Sequence, residues 1–361
     1  MTIALSHAGT TIYTSPSQSR ELMVATVDGI VMLVRDEGAS HSGWRTLRRS
    51  LPGCHISSII MPEPGLILAG VFGGGVMASR DGESWEARDG GIEHRDVYSL
   101  ASSWIGGKLR LFAGTEPAHF YVSDDRGNNW HEMPALRSVP SVSKWTFPAP
   151  PHVGHVKWIM PDPSDPATVY ACVEQGGMFR SADGGRTWSE LAGFDDDVHR
   201  MLVDPRDSRR LYVMTGIGLY LSENRGATWA RLTDQSSEIG AYPDVLVWRP
   251  NQPDVMLAGG AAGNPGVWMK TRFAGARISR SRNGGKSWEI LGGGLPKAEE
   301  WQASIEAMSL EDWGESFSVF AATTAGEIWA SEDGAQRWSR IASGLAPISK
   351  GEHYQLLVRA A

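Results

Sequence analysis

The chain has 361 residues, a formal net charge of −7 and a pI near 5.8. That mild acidity carries no electrostatic footprint for nucleic acid, and no apolar run approaches the ~20 residues of a membrane helix. Two cysteines, Cys54 and Cys172, are too few for a disulfide framework. The N-terminal stretch "MTIALSHAGTTIYTSPSQSR" has neither a basic start nor an apolar core, so a cytoplasmic protein is expected, with no membrane and no nucleic-acid partner.

In chain order, residues 1–15 read as an extra strand or a cover. Two strand-like runs follow, "ELMVATVDG" and "IVMLVRDEG", before Trp44. From there one short pattern recurs. It reads "SRDGESW" at 79–85, "SDDRGNNW" at 123–130, "SADGGRTW" at 181–188, "SENRGATW" at 222–229, "SRNGGKSW" at 281–288 and "SEDGAQRW" at 331–338. With Trp44 the closing tryptophans are Trp85, Trp130, Trp188, Trp229, Trp288 and Trp338. In each box the acidic or amide residue and the glycines signal a turn between two strands, and the tryptophan supplies a packing face. The boxes hold no nucleophile, base or metal set.

Each repeat divides into four strands. The fourth reads "VKWIMPDP" (156–163), "TVYACVE" (168–174), "GMFRSADG" (177–184) and "RTWSELAG" (186–193). Seven such units predict an all-β chain that is a single domain over 1–361, a seven-bladed β-propeller. Trp44 is preceded by only two good strands, and "HYQLLVRAA" (353–361) ends the chain as an orphan. This C-terminal strand is therefore expected to close the ring as the first strand of blade 1. Two insertions break the rhythm, 131–154 between blades 3 and 4, and 262–280 inside blade 5. Long loops in a compact array are often functional.

The S-x-D-x-G-x-[ST]-W boxes resemble the Asp-box repeats, also called bacterial neuraminidase repeats. These occur in sialidases, xyloglucanases, sortilin-type receptors and a photosystem II assembly factor. The resemblance covers about residues 20–360 and implies the propeller fold. It implies no single function. The early arginine motif of the sialidases is absent, since Arg20 and Arg35 stand in other contexts. Xyloglucanases pair two propellers, and this chain has room for one. No functional residue is carried over from these families.

Candidate chemistry comes from aligning the first strands of the seven blades. Their opening positions are His353, His55, Asp96, His155, Asp197, Tyr242 and Ser304. Two residues further on stand Gln355, Ser57, Tyr98, Lys157, His199, Asp244 and Glu306. Alternation in a strand puts both columns on one side. Four of the ten histidines fall in these columns. His119, in "TEPAHF", is expected to face the same end.

Imidazoles from separate strands with carboxylates behind them suit a transition metal. The expectation is a site of His55, His119, His155, His199 and His353 binding Fe, Cu, Zn or Mn at the mouth of a central channel. Asp96, Tyr98, Lys157, Asp244 and Glu306 are the candidate catalytic groups. Tyr242, Trp145, Trp268, Arg272 and Trp301, partly in the two insertions, are candidates to hold the substrate. The architecture resembles that of the carotenoid-cleaving oxygenases, propellers with iron on four histidines, although their sequence motifs are missing. The expected activity is that of a metal-dependent enzyme on a small aromatic or cyclic molecule. The same groups also allow metal-free acid–base chemistry. Alternatives are a binding or assembly scaffold and a glycoside hydrolase using paired carboxylates, Asp96 with Glu306 or Asp197.

Overall fold

The structure is a computed structural model, and it describes residues 1–36 and 43–348. The chain is a seven-bladed β-propeller built of seven sheets in sequence order. Its residues group into two compact units. One holds 1–53, 216–219 and 232–361, and the other holds 54–215 and 220–231.

In the second unit, blade 2 runs through His55–Glu63, Leu66–Phe72, Gly75–Ser79 and Trp85–Ala87. Blade 3 runs through Asp96–Ile105, Lys108–Glu116, Phe120–Ser123 and His131–Glu132. Blade 4 comprises Val156–Pro161, Val169–Val173, Gly177–Ser181 and Ser189–Leu191. Blade 5 opens with Val198–Val203 and Leu211–Thr215. The first strands begin at or one residue after the positions aligned from sequence.

The boxes form their turns as expected. Ser181 Oγ accepts from Gly185 N at 2.8 Å, and Asp183 Oδ1 accepts from Thr187 N at 2.9 Å. The same two bonds recur at Ser123 and Asp125, Ser222 and Asn224, and Ser281 and Asn283. Burial pushes the Asp183 carboxyl up, but the bonds from Thr187 outweigh it and hold it at about 2. The fourth and fifth box positions both have positive φ, 72° and 96° at Gly184 and Gly185, which is why glycine is favoured there. The closing indoles of Trp130, Trp188 and Trp288 donate back to the carbonyls of Gly127, Gly185 and Gly285.

The first strands share a feature that periodicity did not predict. In blades 2 to 7 the pairing of first with second strand skips one residue. The skipped residues are Ser57, Tyr98, Lys157, His199, Asp244 and Glu306. These are the whole described part of the polar third column. A bulge leaves its residue unpaired and re-aims the side chain. Opposite the following residue, the second strand carries Gly70, Gly114 or Gly259 in three blades. A Cβ at Gly114 would meet Val156 Cβ at 2.5 Å and Ser99 Oγ at 2.6 Å. The missing side chain lets the first strand of blade 4 press onto blade 3, where Ser99 Oγ donates to Val156 O at 2.7 Å.

In the first unit, blade 1 holds Glu21–Thr26, Gly29–Arg35 and Trp44–Ser50. Blade 6 holds Tyr242–Arg249, Gln252–Ala261, Arg277–Ser281 and Glu289–Ile290. Blade 7 holds Ile305–Asp312, Phe317–Thr323, Ile328–Ser331 and Ser339–Ala342. Beside Glu21–Thr26 runs Thr2–Leu5, in parallel pairing. Ile12–Thr14 likewise runs parallel to the end of Ile305–Asp312. Residues 1–15 are thus extra strands. The expected closing strand, 353–361, lies outside the described residues. The 131–154 insertion does separate blades 3 and 4. The 262–280 segment belongs to blade 6, not blade 5, because it joins Gln252–Ala261 to Arg277–Ser281. It folds into a short helix, Pro265–Thr271, capped by Asn264.

Candidate functional site

Two histidines of the second unit, His155 and His199, come together with carboxylates at one end of blades 3 to 5. His155 stands just before Val156–Pro161, beside the end of the second strand of its own blade. Its Nε2 lies 2.8 Å from Glu174 Oε2, and its Nδ1 lies 3.2 Å from Glu116 Oε2 on blade 3. Lys157 Nζ donates to Glu174 Oε1 at 3.0 Å. His199 Nε2 lies 3.7 Å from Glu174 Oε1 and 3.4 Å from Asp197 Oδ1. Glu116, His155, Glu174, Lys157, His199 and Asp197 therefore form a continuous polar ladder across three blades.

Backbone pairing builds this ladder. Asp96 and Glu116 are direct register partners, and Glu174 pairs with Asp197 through an isolated bridge. The acidic residue ending each second strand thus stands beside the start of a first strand. Glu116 and Glu174 were missed from sequence because only first strands were aligned. The signal was present as the recurring final Glu of "LFAGTE" and "TVYACVE".

Burial differs along the ladder. His155, Lys157, Glu174 and His199 are buried, whereas the side chains of Asp197 and Glu116 remain 17% and 10% exposed. Burial alone would pull the His155 pKa down. The hydrogen bonds and charges of Glu116 and Glu174 outweigh it, and the pKa lies above its ordinary value. Asp197 moves the other way. Burial pushes its carboxyl up, but the charge and hydrogen bond of His199 hold it below the usual range. Tyr98 stacks on His155 with ring centroids 4.0 Å apart, and Phe147 packs on the same ring at 5.0 Å. Arg200, 1% exposed, lies 4.1 Å over the Trp158 ring.

The described part of this geometry does not suit the expected metal centre of His55, His119, His155, His199 and His353. Both ring nitrogens of His155 face carboxylates, which favours imidazolium over a metal ligand. His119 is held by Glu132 at 2.8 Å and stacks on His94 at 3.7 Å, with burial lowering its pKa. His55 opens blade 2, half-buried against Phe72, and shares no close contact with His155 among those described. His353 lies outside the described residues. Glu174, Asp197 and His199 do offer ligand atoms within 4.8 Å of one another. The Lys157 side chain already supplies a positive charge there, donating to Glu174.

The other candidates fall elsewhere. Asp96 is half-buried at the start of its strand. Asp244 and Glu306 lie in the first unit, where they meet buried His7, whose Nδ1 is 3.0 Å from the Glu306 carbonyl. His7 was not among the sequence candidates, because residues 1–15 read only as a cover. Tyr242 is half-buried at its strand start. Trp268 and Trp301 belong to a hydrophobic core cluster, and Trp301 packs 5.7 Å from Trp329. Trp145 packs on Phe179 at 5.2 Å, under blade 4. Arg272 is exposed and ends the short helix in a left-handed conformation. No helix among the described residues is long and apolar enough to cross a membrane.

The model of the sortilin family (sortilin, neurotensin receptor 3) matches residues 176–312. The xyloglucanase Xgh74A of Acetivibrio thermocellus is 26% identical over 296 residues, covering 69% of this chain and 34% of the relative. The chain thus spans about a third of that relative's length. Among solved structures, the glycoside hydrolase family 74 enzyme of Niastella koreensis is similar with a TM-score of 0.62 and 17% identity. It covers 92% of this chain and 54% of that one. YCF48 bound to D1 peptide is similar with a TM-score of 0.53 and 16% identity, over 91% and 86% of the two chains. The structural likenesses support the propeller fold. The xyloglucanase relatives overturn the expected metal enzyme acting on a small aromatic or cyclic molecule. What they are named for is hydrolysis of a polysaccharide, and no metal dependence is shown.

Proposed function

We propose that this chain is a glycoside hydrolase acting on a polysaccharide, and that its boxes are Asp-box repeats. The supporting observation is the 26% identity to a xyloglucanase over 69% of the chain. Glycoside hydrolysis needs two carboxyl groups, about 5–5.5 Å apart for retention or about 6.5–9.5 Å apart for inversion. Glu174 is too deeply buried to meet a sugar, at 1% exposure. Asp197 stands at a partly exposed end of the polar ladder, and Asp96, half-buried, is the register partner of Glu116 at the other end. Asp197, held ionised by His199, suits the base or nucleophile. Asp96, beside Glu116 across one strand pair, supplies the acid.

The test is release of reducing ends from xyloglucan and mixed-linkage glucan by the purified protein. Asp197→Asn is expected to lower kcat by about 10²–10⁴, the usual contribution of a positioned acid or base. A wild-type protein that releases no reducing ends from either polymer overturns the reading. The sortilin match over 176–312 favours a second reading, a non-catalytic binding propeller. It expects retention of a protein partner and no product in the same assay.

A further inference from the structure

The second unit contains a cleft that lies outside the polar ladder. It has a volume of about 760 Å³ and runs along the outer edge of blade 2, under the box turn of blade 3. Small-ligand sites typically occupy about 300–1,000 Å³. Trp85, partly exposed, and Leu66 supply its apolar surface. Trp85 closes the one legible box that is a residue short, "SRDGESW".

The polar walls are made of ion pairs. Arg126 spans onto Glu63 with two bonds, of 2.5 and 3.3 Å, and Arg88 grips Glu86 at 2.7 and 3.0 Å. Arg88 also donates to the Arg126 carbonyl at 3.1 Å, which ties the two pairs together. Arg80 and Asp81 add one charge of each sign. The lining is therefore neutral in sum, with ionised donors and acceptors fixed next to each other.

We infer that this cleft is a non-catalytic binding site for a neutral oligosaccharide. An anionic ligand needs arginines with charge to spare, and here each carboxylate already offsets one. A hydroxyl both donates and accepts, so a row of hydroxyls matches alternating guanidinium and carboxylate groups. The apolar face of a sugar ring has the flat indole of Trp85 to lie on. An extended peptide is disfavoured, because the edge strand Trp85–Ala87 is only three residues long and short edges resist strand addition. The inference takes its substrate class from the hydrolase reading but places the site away from that chemistry.

The experiment is calorimetric titration of the full chain with cellohexaose, in an Asp197→Asn background so that turnover does not intervene. Hexagalacturonate serves as the charged control. Adding Trp85→Ala is expected to remove one class of sites or weaken it at least tenfold. Trp85→Phe should keep it, and Arg126→Ala should weaken it several-fold. Circular dichroism melts check that each variant is folded. In the Asp197-intact protein, Trp85→Ala should leave hydrolysis of a short soluble glucan unchanged. An isotherm untouched by Trp85→Ala, tighter binding of hexagalacturonate, or no binding of cellohexaose at all would each overturn the site. Trp85-dependent binding in a protein without hydrolytic activity would support the site and remove the hydrolase reading, so the two fail separately.

Discussion

Lys157 Nζ lies 3.0 Å from Glu174 Oε1, and both side chains are 1% exposed. The carboxylate that receives this ammonium also receives His155 on its other oxygen. Glu174 is therefore the junction of the ladder, and its charge faces the buried Lys157, His155 and His199. Removing one partner of such a pair leaves an uncompensated buried charge, which costs about 3–5 kcal/mol. Glu174→Ala is expected to lose about that much in a urea titration, because Lys157 and His155 both lose this carboxylate. Lys157→Met should cost less, because His155 and His199 still face Glu174. Equal losses for the two variants would contradict the junction role.

The ladder also sets a pH response. His155 has a folded pKa above its unfolded value of about 6.5. Its contribution to stability is fully present below about pH 6.5 and is lost as pH rises through the folded value. Asp197 has a folded pKa below its unfolded value, so its contribution is present above about pH 4 and is lost as pH falls through the folded value. The stability difference between wild type and His155→Gln, measured with urea from pH 5 to 9, should shrink towards alkaline pH. A difference that grows with pH would mean that His155 is neutral in the folded protein.

Close approach of blades 3 and 4 rests on the missing side chain at Gly114. A methyl group there would sit 2.5 Å from Val156 Cβ and 2.6 Å from Ser99 Oγ. Both neighbours are buried and held by the Ser99–Val156 hydrogen bond. Overpacking a tight contact costs about 1–3 kcal/mol, so Gly114→Ala is expected to lower the melting temperature measurably. Gly53, which has nothing within 4 Å of its added Cβ but a φ of 77°, is a useful contrast. Its loss on substitution comes from backbone strain and not from a clash.

The repeats and their strand starts were legible because turn chemistry and tryptophan spacing are local. Asp96 and Tyr242 open strands as read, and His155 and Asp197 stand one residue ahead of theirs. What made the polar third column special was not legible. The bulges at Tyr98, Lys157, His199, Asp244 and Glu306 are properties of pairing, visible only once two strands are in register. The same holds for Glu116 and Glu174, which reach the ladder from second strands. Histidine enrichment in these columns was read as metal chemistry. The carboxylates that turn His155 towards imidazolium sit 19 and 39 residues away in sequence, and strand alternation does not reveal them.

Trp268 separates packing from substrate contact in the 262–280 segment. From sequence this segment read as a long functional loop whose Trp268 and Arg272 hold the substrate. In the structure Trp268 is 6% exposed, on a helix whose cluster includes Ala274, Ala276, Ile278 and Trp301. Ala262 N donates to Ala274 O at 2.8 Å, closing the segment on itself, and Gly275 N donates to Trp301 O at 2.9 Å, tying it to the stretch that leads into Ile305–Asp312. Residues 277–280 are themselves part of the third strand of blade 6. Truncating a buried tryptophan costs about 3–5 kcal/mol. Trp268→Ala is expected to lose about that much in urea, with Val267→Ala, half-exposed on the same helix, nearly neutral. Replacing all of 262–280 by a turn should unfold blade 6 and not merely open a binding site. A Trp268→Ala protein with wild-type stability and impaired polysaccharide turnover would return the segment to the role that its sequence suggested.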